Sequence, residues 1–245
     1  MSVLILGGTA EARALAAVLV ADGVDVVSSL AGRVSRPALP AGRVRVGGFG
    51  GVSGLAAYLV AERVDAVIDA THPFAAQISA NAAGACAQTS TPLVRLERPG
   101  WCEHPGAYGW TWVADLDAAR EATPEARRPF LTTGRQSLGA FLSWADRDVL
   151  VRVVDPPEVP LPSRWTIVRS RGPYDYAAER RLLEDHRVDA LLTKDSGGEH
   201  TAAKLAAADD LGIPVVIIER PPRPDVPTVP DVEAALQAYA ALPRR

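Results

Sequence analysis

The sequence predicts an α/β fold, and three observations carry that reading. Short β-branched runs alternate with alanine-rich stretches through both halves of the 245-residue chain, the pattern of strands and helices in parallel architecture. The first run meets a glycine turn, Gly7-Gly8-Thr9, that leads at once into a small-residue helical stretch. A phrase of the first half, Val64-Asp-Ala-Val-Ile-Asp-Ala-Thr-His72, is echoed in the second by Val188-Asp-Ala-Leu-Leu-Thr-Lys-Asp195. Together they predict two Rossmann-like parallel-sheet domains facing each other across a cleft.

In the first half, strands are expected near 2–7, 24–30, 43–47, 65–70 and 92–97. Helices near 10–22, 53–63 and 74–88 fill the gaps, because Ala and Leu recur there at three- and four-residue spacing; Gly23 stops the first. Pro99-Gly100-Trp101 and His104-Pro105-Gly106 then break the pattern, which places a linker here and divides the chain into domains 1–100 and 101–245. In the second half, strands are expected near 129–133, 149–154, 166–170, 189–193 and 215–219. Helices near 115–122, 136–145, 175–186 and 200–211 separate them, and Arg220-Pro-Pro-Arg-Pro224 closes the unit. Asp231 caps a final helix that runs to about 241.

Composition narrows the class of function. Apolar residues make up 48% of the chain, yet runs such as Leu15–Ala21 and Val215–Ile218 fall short of the roughly 20 residues a membrane span needs. No basic region precedes the first apolar run, so a cytoplasmic protein is expected. Net charge of −3 argues against a nucleic-acid binder. Two cysteines and four scattered histidines give no disulfide framework and no metal-ligand spacing, so no metal is expected, and Cys86 reads as a small buried apolar residue.

The glycine turn is the first candidate site. Gly7 and Gly8 let the backbone approach a pyrophosphate, and the helix that follows aims its first N–H groups, from Thr9, Ala10 and Glu11, at the anion. Thr9 stands where the usual fingerprint has its second glycine, and Ala12 where it has the third. A tight strand-to-helix turn needs glycine whether or not anything binds, so the turn alone does not settle the matter. Arg33, 26 residues after Gly7, together with Ser35 suits a 2′-phosphate, and hence NADPH over NADH; the alternative is an ordinary solvated loop. Gly47 and Gly48 open a glycine-rich loop that either admits a flat ligand or a ribose or is merely flexible. Thr71, His72 and Pro73 follow the fourth strand: Pro73 suits a first helical turn, Thr71 caps that helix or bonds a cofactor, and His72 falls near the nicotinamide.

The second half gathers cations at strand ends. Thr133, Gly134 and Arg135 close one strand, Arg169 and Arg171 another, and Lys194, Ser196 and Gly197 a third. In a net-acidic protein, Arg135, Arg169, Arg171 and Lys194 around one cleft fit a polycarboxylate, because a guanidinium grips carboxylates through paired bonds. The alternative is that each charge simply faces water. No Gly-x-x-x-x-Gly-Lys-Ser/Thr and no Gly-x-Ser-x-Gly occurs, which removes a P-loop NTPase and the simplest hydrolase. Tyr176 is followed four residues on by Arg180, so the Tyr-x-x-x-Lys pair of short-chain dehydrogenases is missing.

Taken together, several phrases in order resemble the precorrin-6A reductase family along nearly the whole chain. They are Leu4-Ile-Leu-Gly-Gly-Thr-Ala-Glu-Ala-Arg-Ala-Leu15, Asp69-Ala-Thr-His-Pro-Phe-Ala-Ala-Gln-Ile-Ser-Ala-Asn81, Leu131-Thr-Thr-Gly-Arg135 and Thr193-Lys-Asp-Ser-Gly-Gly198. The resemblance implies hydride transfer from NADPH to one double bond of a corrin precursor, giving precorrin-6B in cobalamin (vitamin B12) biosynthesis. Ala12 and the stretch Glu199-His-Thr201 depart from the family pattern. A flat tetrapyrrole rich in acetate and propionate groups agrees with the scattered cations. His72, Tyr174 and Asp195 are the candidate proton donors, although the conjugated ring can delocalise charge and take its proton from water. The expected partner is the tetrapyrrole alone, with a monomeric enzyme in transient contact with neighbouring pathway enzymes. An NADPH reductase of another polycarboxylate and a non-catalytic NADP-binding regulator are the competing readings.

Overall fold

Strand β1 (Ser2–Leu6) sends alternate side chains to opposite faces: Val3 and Ile5 into one apolar cluster, Leu4 and Leu6 into another. A protein layer must therefore cover each face. The computed structural model describes residues 2–32, 39–157 and 159–242. Along the chain, α1 (Ala10–Ala21), β2 (Asp25–Leu30), β3 (Arg43–Val46), α2 (Gly51–Ala61), β4 (Ala66–Asp69), α3 (Ala76–Thr89) and β5 (Leu93–Leu96) follow. Helix α1 covers the Val3/Ile5 face with Leu15 and Leu19, and α2 and α3 cover the other with Leu55, Leu59, Ala82 and Ala85. Each of these buried leucines contributes about 1.5–3 kcal/mol.

The chain then crosses into a second unit. Its elements are β6 (Thr111–Val113), α4 (Leu116–Glu121), β7 (Pro129–Thr132), β8 (Leu150–Val153), β9 (Thr166–Arg169), α5 (Tyr176–Asp185), β10 (Ala190–Lys194), α6 (Ala203–Asp210) and β11 (Val215–Ile218). Phe130, Leu150, Leu183, Leu191, Leu205 and Ile217 build its core. After β11 the chain returns: β12 (Thr228–Val229) pairs with β5, and α7 (Val232–Ala240) packs Ala235, fully buried, against α1. The compact units are residues 1–99 with 221–245, and residues 100–220.

Three expectations need correction. Residues 221–245 do not extend the second domain, because β12 and α7 complete the sheet and the helical layer of the first. The helix expected at 136–145 is a 3₁₀ segment, Arg135–Trp144; Ser137 turns its hydroxyl back onto the carbonyls of Thr133 and Gly134, and Gly139 weakens the middle. The third helix begins at Ala76, so Pro73 lies in the preceding turn and Thr71 is not its cap, Ala75 holding that position.

Both sheets are parallel throughout and, among the described residues, five strands of each share one winding. The first runs β12-β5-β4-β1-β2-β3 and the second β6-β11-β10-β7-β8-β9. In the first, the chain starts at the central strand β1, winds outward through β2 and β3, and resumes at β4 on the other side; in the second, β7 to β11 follow the same winding, but the edge strand β6 comes first in the chain where β12 comes last. The shared winding is that of dinucleotide-binding sheets, whose ligands lie beyond the carboxyl ends of the strands where the winding reverses. The reversal falls between β1 and β4 in the first unit and between β7 and β10 in the second. The two similar phrases, 64–72 and 188–195, thus run through the topologically equivalent strands β4 and β10.

Candidate functional site

In the first unit the reversal point is built from the ends of β1 and β4, where Leu6 pairs with Asp69 in register. Gly7 donates to the Ser29 carbonyl at 3.0 Å and Ala70 to that of Leu6 at 2.9 Å, so both strand ends are pinned. Gly8 follows at φ +116°, a conformation that disfavours any side chain, and a Cβ placed there would meet nothing within 4 Å. Ala12 takes the close-packing position of the fingerprint: its Cβ lies 3.5 Å from where a Gly7 Cβ would sit. The Thr9 hydroxyl is committed internally. It accepts from Ala12 N at 3.1 Å, as the cap of α1, and donates to the Ala70 carbonyl at 2.7 Å, bridging the two strand ends. What this turn offers an anion is therefore backbone N–H, chiefly from Ala10 and Glu11, which have no intrahelical acceptor. The Glu11 carboxylate is drawn aside by Arg98 at 3.0 Å.

Beneath the β4 end lies a buried ionic network that the sequence reading missed. Arg95 on β5, only 2% exposed, donates to Asp69 Oδ2 at 2.6 Å, to Glu97 Oε2 at 2.6 and 2.8 Å, and to Ser79 Oγ at 2.5 Å. The other Asp69 oxygen accepts from both the N–H and the hydroxyl of Thr71, at 3.1 and 2.7 Å. Asp69 thereby fixes the strand end that carries Thr71, His72 and Pro73. His72 accepts from Phe74 N at Nδ1, 3.2 Å away, which leaves the proton of a neutral ring on Nε2. Gly47 and Gly48 are held from below: Arg45 donates to both carbonyls, at 2.8 and 2.9 Å, and stacks on the Phe49 ring at 3.7 Å. Arg33 and Ser35 lie outside the described residues. Cys86 is buried in the core under β4, where burial first and Asp69 second push its thiol up to about 12.

In the second unit, Thr132 pairs with Thr193, which sets Thr133, Gly134 and Arg135 beside Lys194, Asp195, Ser196 and Gly197 at the reversal point. Gly134, at φ +86°, occupies the place that Gly8 has in the first unit. Thr133 is 2% exposed and its Oγ1 has no hydrogen-bond partner within the protein, a buried hydroxyl at the point where a ligand is expected. Lys194 is half-buried, and burial lowers its pKa. Arg169 and Arg171 are not part of this cluster; they sit exposed at the end of β9, the outer strand two places from β7. Tyr174 is half-buried, and its hydroxyl donates to the Ser170 carbonyl at 3.3 Å.

A second ionic cluster packs under these loops. Arg152 in β8 forms a paired bridge with Glu179 of α5 at 2.6 and 2.8 Å and lies 4.2 Å from the Tyr174 ring centroid. Lys204, 3% exposed, donates to the Thr201 carbonyl at 2.6 Å and sits 4.6 Å over the Trp101 ring. Burial, aided by Arg152 and opposed by Glu179, pulls the Lys204 pKa down to about 7. The unfolded chain then holds a proton that the folded one releases, so this group makes stability rise as pH climbs from about 7 toward 10.5. Lys204→Met is expected to remove about 3 kcal/mol of that rise between pH 7 and 9.5. Urea unfolding of variant and parent at both pH values measures it, and identical pH dependences would contradict it.

A six-stranded parallel sheet wound in the dinucleotide-binding order, with a glycine turn and a helix N-terminus at its reversal point, defines a Rossmann-like α/β protein. A family model described as precorrin-6x reductase CbiJ/CobK matches residues 2–240. A precorrin-6A reductase of Rhodococcus erythropolis is 52% identical over 246 residues, 99% of either chain. A cobalt-precorrin-6A reductase of Priestia megaterium is 30% identical over 234 residues, 89% of this chain and 90% of that one. The solved structure of a CobK precorrin-6A reductase, 44% identical, superposes with a TM-score of 0.92 over 98% of this chain and 96% of its own. The chain belongs to the precorrin-6x reductase family of oxidoreductases. No described helix is long and apolar enough to cross a membrane.

Proposed function

We propose that the protein reduces one double bond of precorrin-6A with NADPH, yielding precorrin-6B in cobalamin biosynthesis. The observation that carries this is kinship over the whole chain, at 52% identity to a precorrin-6A reductase against 30% to a cobalt-precorrin-6A reductase. The metal-free macrocycle is therefore the favoured substrate. NADPH, when bound, supplies the hydride.

In this reading the N–H groups after Gly7 and Gly8, on Thr9, Ala10 and Glu11, receive the pyrophosphate. Arg33 and Ser35 receive the 2′-phosphate, and the loop at Gly47 and Gly48 flanks the adenosine end. Thr71, His72 and Pro73 border the nicotinamide, held in place through Asp69. His72 can donate from Nε2, because Nδ1 is occupied by the Phe74 N–H. In the second unit the Thr133 hydroxyl, the Gly134 backbone, Arg135, Lys194, Ser196 and Gly197 receive acetate and propionate groups, with Arg169 and Arg171 taking those farther out. Charge-assisted contacts of this kind are worth about 1.5–3 kcal/mol each. The acceptor carbon must come within about 3–3.5 Å of the nicotinamide, so positioning is the main task of the protein. A cytoplasmic, monomeric enzyme belongs to the same reading.

Mixing the enzyme–NADPH complex with precorrin-6A in a single turnover tests the reading. Loss of NADPH absorbance is the expected result; a complex that holds the cofactor unoxidised is a regulator and not this reductase. Arg33→Ala is expected to weaken NADPH about tenfold or more while leaving NADH within about twofold, since one charge-assisted phosphate contact is lost. Equal weakening of both cofactors in calorimetric titration removes Arg33 from the 2′-phosphate.

A further inference from the structure

The chain passes from the first unit to the second at Pro99–Gly100 and returns at Arg220–Pro221. One buried carboxylate fastens the second unit's end of both passages. Asp195, 6% exposed at the end of β10, accepts from Trp101 N on Oδ1 at 3.1 Å and from Arg220 Nε on Oδ2 at 3.1 Å. Arg220 Nε also reaches the Asp195 carbonyl at 3.2 Å, and Asp195 N donates to Ile218 O at 2.9 Å. Gly100 is shaped to this carboxylate, since a Cβ there would stand 2.5 Å from Oδ2. Trp101 is held twice more, by the same loop through Nε1 to the Gly198 carbonyl at 3.2 Å and by Lys204 of α6 over its ring.

We propose that Asp195 is a positioning residue which ties both chain crossings to the loop after β10, so that the state of this loop is transmitted to the segments carrying the cofactor-binding unit. Both carboxylate oxygens are engaged as acceptors, which suits an anchor and not a proton donor. Its neighbours Lys194, Ser196 and Gly197 are the residues assigned above to the substrate. The inference rests on that assignment for its link to catalysis, but the fastening itself does not.

Three substitutions test it from different sides. Asp195→Asn keeps the shape and weakens the bond to Arg220, Arg220→Gln removes the partner, and Gly100→Ala leaves every polar group in place while pushing a methyl at Oδ2. Each is expected to speed amide hydrogen exchange at residues 100–102 and at Glu219 and Arg220 about tenfold or more, as loss of a charged hydrogen bond implies. Unchanged exchange in all three overturns the proposal. Each should also slow single-turnover hydride transfer about tenfold to a hundredfold, with the Kd for NADPH unchanged, because misplacement and not chemistry is at fault. The Asp195→Asn/Arg220→Gln double variant is expected to be no slower than the slower single variant; additive losses count against a shared bond. A pH–rate profile of Asp195→Asn with the parent's shape supports positioning, and loss of one limb makes Asp195 the proton donor instead. If the parent fails to oxidise NADPH with precorrin-6A, the functional reading fails, and the exchange data still decide whether Asp195 is the fastener.

Discussion

Arg95→Met is expected to destabilise the first unit by about 3–5 kcal/mol, because it strips the counter-charge from buried Asp69 and leaves Glu97 with Arg223 alone. Arg95 is the sole guanidinium within reach of Asp69 among the described residues, and it also grips Glu97. In water such a pair is worth little, but here Arg95 and Asp69 are each only 2% exposed, so an abandoned carboxylate has no water to turn to. Urea unfolding by circular dichroism measures the loss, and a change below about 1 kcal/mol would show that the network is neutral. Replacing Arg95, Asp69 and Glu97 together by apolar residues of similar volume should restore most of the stability. Cofactor affinity should not return with it. Asp69 also orients the Thr71 N–H and hydroxyl, and through them the His72 segment.

Gly8→Val is expected to weaken NADPH about a hundredfold, or about 2.7 kcal/mol, in a variant that still folds. The open space around a Gly8 Cβ means that the fold can take the side chain, at a strain of about 1–3 kcal/mol from the φ of +116°. A phosphate approaching the backbone meets the new methyl groups directly. NADPH and NADH should suffer alike, in contrast to Arg33→Ala, and titration with both distinguishes the two sites. Undiminished affinity in a folded variant would remove the turn from the cofactor site.

The large pieces of this fold were legible because they follow a period. β1, α1, β4 and β10 announce themselves through apolar runs and alanine spacing, and Asp231 was readable as a cap because its carboxylate takes the N–H of Ala234 at 2.8 Å. β6 and β12, three and two residues long, were not, since so short a stretch shows no alternation. Missing β12 also concealed where α7 belongs, because the pairing that returns the chain to β5 is not local in sequence. The strand-end residues of the candidate site were legible from topology alone, as parallel sheets collect ligands at one end. Their supports were not. Arg95 and Arg152 sit inside strands that read as apolar, and only the fold brings Asp69 and Glu179 against them. A charged residue in the middle of an otherwise apolar strand was the available signal, and it calls for a buried partner of opposite sign. Thr9 shows the same limit: its hydroxyl is claimed by the Ala70 carbonyl 61 residues away, a pairing that no local pattern announces.

The placement of β12 and α7 has a consequence for how the protein is made. The second unit is an insertion into the first, and a ribosome releases residues 1–99 long before their last strand and helix exist. Until residues 221–245 emerge, the face of α1 that Ala235 will cover stays exposed, and β5 is a bare edge. The inserted unit, continuous from 100 to 220, has all its parts available first. Order of synthesis and order of completion are therefore reversed: the amino-terminal unit begins first and is finished last.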